Sequence, residues 1–184
     1  MRFWKIFLLH TDRDWGRYVK EKSIFVGQFG PEGFQNLDKY SCKEDMAEFI
    51  PEGAATQLWQ FSNDIKKGDL VVAYGPRRVL GVGRAIGSYR FDPILDPVDQ
   101  CYHKSHIRGI KWVELKPHVD ASTDKVLFCD PPIGLETLND QIKILEISRE
   151  EWGNVLKQYP TLKKAYQKLA KPVKSSKPAK PSKK

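Results

Sequence analysis

The sequence predicts a mixed α+β domain built on a small, strongly bent sheet or open β-barrel flanked by helices. Three observations carry this. Apolar runs of strand length recur between segments whose apolar residues repeat at helical spacing. One long apolar segment, Val79–Phe91, carries Gly81, Gly83 and Gly87, which permit a bend or bulge within a strand. With 184 residues, 40% of them hydrophobic and rich in Trp, Tyr and Phe, the chain can fill one full core and is too apolar for disorder.

Taken in order, Phe3–Leu9 reads as a first strand. Thr11–Gly33 mixes charges, aromatics and glycines and reads as a loop, with a short strand at Ser23–Val26. Cys42–Ile50 reads as a helical turn or two, stopped by Pro51. Ala54–Lys66 has Leu58, Trp59, Phe61 and Ile65 at helical spacing and ends at Lys66-Lys67-Gly68, a basic last turn before a capping glycine. Asp69–Tyr74 is a buried strand, Gly75–Arg78 a turn, and Val79–Phe91 the long glycine-bearing strand. His106–Lys116 and Lys125–Cys129 complete the strands. Ser148-Arg149-Glu150-Glu151 has the form of a capping box and opens a helix with Trp152, which Pro160 interrupts before Thr161–Ala170 resumes. Residues 1–170 are expected to form one domain. Residues 171–184, made of Lys, Pro, Ser, Ala and Val, read as a linker or flexible tail, as in a chain cut from a longer one.

The formal charge of +8 suggests a nucleic-acid partner, but its location changes its meaning. Six lysines lie in residues 171–184 and four more in 157–170, so residues 1–156 hold 21 basic against 23 acidic groups. Within that body, residues 1–30 and 61–90 are locally basic, at +3 and +4, while 31–60 and 91–156 are acidic. A basic face requires the two basic segments to be neighbours. No apolar run approaches the ~20 residues that span a bilayer, and the N-terminus lacks a signal-peptide cleavage site. Three scattered cysteines (Cys42, Cys101, Cys129) fit a reduced, cytoplasmic protein.

Several chemistries lack their residues. There is no phosphate loop of the GxxxxGK[ST] form, and Gly81-Val82-Gly83 lies inside a strand without the helix start of a dinucleotide site. Cys101, His103 and His106 lack a fourth metal ligand at a usual spacing, so no metal or cofactor is expected. Glu114-Leu115-Lys116 with Asp92, Asp96 or Asp99 upstream mimics the acid and lysine set of Mg²⁺-dependent nucleases. Glu-x-Lys is a frequent triplet, Pro117 follows at once, and a solvated strand end explains it as well.

Aromatics interleaved with cations are the positive signal. Trp15 and Tyr18 lie among Arg13, Arg17, Lys20 and Lys22; Phe29 sits between Gly27 and Gly30; Tyr89 and Phe91 flank Arg90; and Tyr102 precedes His103 and Lys104. Such sets suit an extruded base, which rings stack against while cations hold flanking phosphates. They equally suit a satellite aromatic cluster under long loops. Trp59 on its helix fits either core or pocket floor.

From Leu58-Trp59-Gln60-Phe61 onward the order of features is distinctive: "IKKGDLVVAYG", "VLGVGRAIGSYRFDP", a His-containing loop and "IRGIKWVEL". It resembles the PUA-like superfamily that contains EVE and YTH domains, especially the modified-base readers at the N-termini of McrB-type restriction proteins, over roughly residues 3–130. The resemblance implies a non-catalytic domain whose pocket forms from residues near 10–30, 59 and 89–103. Trp15, Phe29, Trp59, Tyr89, Phe91 and Tyr102 would supply rings. His10, Thr11, Asp12 and Gln28 would supply polar contacts to the base edge. Arg13, Arg17, Lys20, Lys22, Arg77, Arg78, Arg84, Arg90 and Lys104 would grip phosphates. The YTH-type Trp after the second strand is absent, since Val26-Gly27-Gln28-Phe29 stands there, so Phe29 or Trp15 substitutes or the cage differs.

The expected function is recognition of double-stranded DNA carrying a modified base, N6-methyladenine by preference, flipped into an aromatic pocket. The expected setting is a McrB-like system with a GTPase/AAA+ motor and a nuclease subunit. Alternatives are a methylcytosine reader, a single-strand methylated-RNA reader, a protein-interaction module, and the Glu114/Lys116 nuclease. Deleting residues 171–184 should lower affinity for unmodified DNA while preserving preference for the modified base. A gel-shift comparison checks this, and loss of the preference would return the function to the tail.

Overall fold

Sheet formation begins where the chain first offers an unbroken apolar run. The computed structural model describes residues 1–8, 11–26, 36–49, 52–75, 78–92, 106–120 and 142–170. Strands β1 (Phe3–Leu8), β2 (Ser23–Val26), β3 (Leu70–Gly75), β4 (Arg78–Phe91), β5 (His106–Asp120) and β6 (Ile142–Ile147) form one sheet in the order β2-β5-β4-β3-β1-β6. β1 and β3 run parallel and the remaining pairs are antiparallel. The expected α+β class with a curled sheet between helices is what the chain adopts.

The bends fall at the glycines. The β4–β5 register shifts once between Val79 and Gly81 and again between Ala85 and Tyr89, around Gly87. β5 continues past Pro117 to Asp120, beyond the stop the proline suggests. Pro117 lies between the Glu114–Gly81 and Val119–Val79 pairs, where the ladder is already interrupted, so its missing N–H costs no regular bond.

Both faces of the sheet are covered. Helices α1 (Thr11–Glu21), α2 (Lys43–Ala47) and α3 (Glu52–Trp59) close one face, over a core that includes Trp4, Ile6, Trp15, Leu58, Phe61 and Trp112. Helices α4 (Arg149–Gln158) and α5 (Pro160–Ala170) close the other, around Phe3, Val72, Tyr74, Leu115, Trp152 and Leu162. The capping box at α4 forms as its spacing implies: Ser148 Oγ accepts from the Glu151 amide at 3.1 Å, and the Glu151 carboxylate accepts from the Ser148 amide at 2.8 Å.

Three segments differ from expectation. Residues 11–21 are a helix rather than a loop. Trp15 and Tyr18 are buried with Val19 packed beside them, which gives the helix one apolar face. Arg17 meets Glu21 one turn on at 2.9 Å, so part of the charge supports the helix instead of opposing it. The helix expected to run to Lys66 is α-helical to Trp59 and widens into a π turn over Gln60–Asp64. Ser62 Oγ donates to the Leu58 carbonyl at 2.8 Å in that turn. Gly68 keeps a left-handed φ of 98° but serves the turn into β3, donating to the Ala85 carbonyl at 2.8 Å. The third is β6, a segment the sequence pattern leaves unassigned, which pairs along all of β1. The expected strand at Lys125–Cys129 and the tail 171–184 lie outside the described residues.

Gly81 makes room for Trp15: a Cβ there would stand 2.6 Å from the indole ring and 3.0 Å from the Val113 carbonyl. Gly81→Ala should therefore destabilise the fold by about 1–3 kcal/mol. Gly153→Ala in α4, where a Cβ meets open space, should stabilise it by about 0.5–1 kcal/mol. Urea unfolding curves read both signs.

Candidate functional site

The far end of β4 reaches past β3 and, among the described residues, pairs only with β5, and β2 lies on the other side of β5. Both Val26 and Phe91 are cross-strand neighbours of His106. Val26 and Phe91 therefore flank His106 at one end of the sheet. Gln28, Phe29, Tyr102 and Lys104 lie outside the described residues.

An aromatic group occupies this end. Tyr89 stacks on His106, with centroids 5.9 Å apart and planes 23° apart, and Phe91 tilts against the same imidazole at 5.5 Å. Phe61 meets Tyr89 edge-on at 6.4 Å. The Tyr89 oxygen accepts from the Leu37 amide at 3.2 Å and shares a 2.9 Å hydrogen bond with His106 Nδ1. Where the phenol is the donor, the imidazole proton sits on Nε2. Burial pushes the Tyr89 phenol up to about 12; the Leu37 amide pulls the other way and Asp38 adds to the rise. Phe91 is half-buried and Arg90 beside it is exposed.

Next to this group lies Arg108, 3% exposed. Its Nε donates to the Phe61 carbonyl at 2.8 Å, one terminal nitrogen to the Ser62 carbonyl at 2.7 Å, and the other to the Gly87 carbonyl at 3.4 Å. It thereby caps the carbonyl end of the π turn and ties that end to β4. Burial pulls the guanidinium down to about 10, opposed by Asp69 and Tyr89, so it stays charged at neutral pH. Among the described residues no carboxylate forms an ion pair with it. A cleft of about 410 Å³ opens beside Arg108, bounded also by Ser62, Ile65, Lys66 and Lys67 and by Ile86–Tyr89.

The other sequence candidates are dispersed. Trp15, 4% exposed, meets Trp112 at 5.1 Å with planes 66° apart, inside the main core, and its indole N–H has no acceptor among the described residues. Trp59 is half-buried against the same core. The basic segments 1–30 and 61–90 are neighbours, through the β1–β3 pair and through Trp15 against Gly81. Their described cations are distributed along several elements. Arg78 and Arg90 stand near opposite ends of the 14-residue β4. Arg84 lies across from Lys111, Arg17 is paired with Glu21, and Lys20 and Lys22 are exposed at the end of α1. His10 and Arg77 are outside the described residues, as are the side chains of Thr11, Asp12 and Arg13. Glu114 and Lys116 pair with each other at 3.0 Å. No group of three or more His, Cys, Asp or Glu that could hold a metal occurs among the described residues, and none of their helices is long and apolar enough to cross a membrane.

Sequence reasoning missed Arg108, His106 as a partner of Tyr89, and the Lys66–Lys67 edge of the cleft. Only the Ile-Arg-Gly-Ile pattern could have flagged Arg108, as a charge inside an apolar strand.

These features define a mixed α+β domain with an aromatic group and a cationic cleft at one end of its sheet. The chain belongs to the family described as Domain of unknown function (DUF8426), which matches residues 4–126 and so spans both features. No curated protein matches the sequence. Among solved structures it is similar to the NMR structure of Rpa0253 from Rhodopseudomonas palustris, at 15% identity and a TM-score of 0.47, over 88% of this chain and 95% of that one. It is also similar to the crystal structure of the YTH domain of the Zygosaccharomyces rouxii MRB1 protein in complex with N6-methyladenosine RNA. There the identity is 15% and the TM-score 0.45, over 85% of each chain.

A phenol held at about 12 gives an alkaline signature. From pH 10 to 12 the unfolded chain loses the Tyr89 proton before the folded chain does, so stability should fall as pH rises through that window. Ultraviolet titration should show a late-ionising tyrosine component that Tyr89→Phe removes, and the variant should lose stability less steeply over the same range.

Proposed function

We propose that the chain is a non-catalytic reader of a modified base in nucleic acid, with N6-methyladenine in double-stranded DNA as the preferred ligand. The observation that carries this reading is the stack of Tyr89, His106 and Phe91 at the sheet end where Val26 and Phe91 flank His106. Phe91, half-buried and with the exposed Arg90 beside it, is the described ring best set to stack on an extruded base. Tyr89 and His106 are buried and hydrogen-bonded, so their role is to hold Phe91 and the strand end in place. The order of features from Leu58 to Trp112 supports the same reading. In this proposal the domain works inside the cell as the targeting module of a McrB-like restriction system, with motor and nuclease functions supplied by other domains or subunits.

Gel shifts with otherwise identical duplexes carrying adenine, N6-methyladenine or 5-methylcytosine test it. Tighter binding to the methyladenine duplex is expected, and equal binding to all three would overturn the proposal. A matched single-stranded RNA probe in competition separates an RNA reader from a DNA reader. Phe91→Ala should weaken binding to the modified duplex about tenfold, from the loss of one stacking ring, with little change for the unmodified duplex. A fall in thermal stability without a change in modified-site binding would assign Phe91 to packing alone.

A further inference from the structure

The cleft beside Arg108 is built rather than incidental. Three residues of β4 (Ile86, Gly87 and Ser88) stand against the single residue Gly109 of β5, between the Ala85–Ile110 and Tyr89–Arg108 pairs. This excursion pushes Ile86 and Ser88 outward, and both are exposed. The opposite wall comes from the end of the π turn, with Ser62 half-buried and Lys66 and Lys67 exposed. Arg108 lies between the walls.

The charge of the cleft has one sign. Its lining holds Arg108, Lys66 and Lys67 and no carboxylate. Asp69 lies outside the lining, where its carboxylate accepts from the Arg2 and Lys66 amides at 2.8 and 3.0 Å and from Trp4 Nε1 at 3.2 Å while its charge favours the charged form of Arg108. Among the described residues neither Lys66 nor Lys67 has an ion-pair partner. The bonds from Arg108 go to carbonyls, which satisfy three of its five N–H groups without cancelling its charge. A buried cation is ordinarily paired, so a cleft that opens onto Arg108 and adds two lysines and the Ser88 hydroxyl has the donor set for a phosphate. Ile86 and the edge of Tyr89 provide an apolar wall such as a sugar would contact.

We propose that this cleft binds a backbone phosphate of the nucleic-acid strand next to the nucleotide being read. Lys66 and Lys67 provide the mobile charges, Ser88 the hydroxyl donor, and Arg108 the fixed field. The proposal rests on the reading of the domain as a nucleic-acid binder, and Tyr89, shared by the cleft and the aromatic group, links the two sites. None of these cations belongs to the set that the sequence pattern nominated for phosphates.

The test uses the full chain and a Lys66→Gln/Lys67→Gln variant, both exposed positions, with matching thermal melts as the check on folding. Titration with inorganic phosphate, followed by ¹⁵N–¹H spectra, should shift the Gly87 and Ser88 amides in the native chain and not in the variant. With an unmodified duplex the variant should bind about tenfold more weakly, and its dependence of log K on log salt should flatten by about 0.9, the slope of one phosphate contact. Ser88→Asp, which places a carboxylate in the cleft, should weaken binding in the same direction, while Lys39→Gln/Lys43→Gln, with the same charge change outside the cleft, should leave the slope as it was. No phosphate shift at Gly87 and Ser88, or an unchanged slope in the Lys66/Lys67 variant, would overturn the proposal. Preference for a modified base is scored separately in the native chain. If it is missing while the shifts and slope behave as expected, the base reading falls and the cleft stands. If it is present without them, the cleft alone falls.

Discussion

The candidate site depends on a guanidinium buried in the sheet that no carboxylate among the described residues pairs with directly. Arg108 holds the carbonyls of Phe61 and Ser62, where the last regular turn after α3 has widened, and the carbonyl of Gly87, where β4 leaves its ladder. A buried cation is costly unless its hydrogens are bonded, and two irregular backbone segments supply the acceptors that regular helix and strand would have used internally. The widened turn, the strand excursion and the buried charge are therefore mutually dependent. Each would be unfavourable without the others.

From that joint two features diverge. Toward the end of β4 it supports Tyr89, whose phenol is buried, bonded to Leu37 and His106, and kept neutral far into the alkaline range. Toward the surface it leaves a positively charged cleft. The paired faces of the sheet explain why these features can tolerate irregularity. α1 and α3 on one side and α4 and α5 on the other bury large aromatic clusters along β1, β3 and the first half of β4. The overhanging end of β4 carries less of that packing and can depart from ladder geometry at lower cost.

Legibility followed how local the signal was. β1, β2, β3 and β4 could be read because apolar runs bounded by glycine, proline or charge need no distant partner to be recognised. The capping box at Ser148 was legible for the same reason, since its two bonds close within four residues. α1 was not, because Gly16 and six charged residues in a row of eleven hide a buried face that only Trp15 and Tyr18 define. β6 was not, because its place is set by pairing with β1, more than 130 residues away in sequence. At the site, Tyr89 and Phe91 stood out as aromatics around an arginine, and Trp15 did too, although it packs into the core against Gly81. Lys66 and Lys67 read as the basic last turn of a helix that in fact stops earlier.

By itself the sequence determined the α+β class, the glycine-bearing strand that had to bend, the near-neutral body behind the +8 charge, and the aromatics interleaved with cations. All of these are properties of composition and short-range spacing. Only the tertiary structure decided which aromatics gather, that Arg108 is buried while Lys66 and Lys67 face solvent, and that the two basic segments adjoin. Those outcomes depend on the β4–β5 register. A shift of three residues against one at Ile86–Ser88 aims the side chains outward, and no local pattern encodes a register that exists only when both strands are present.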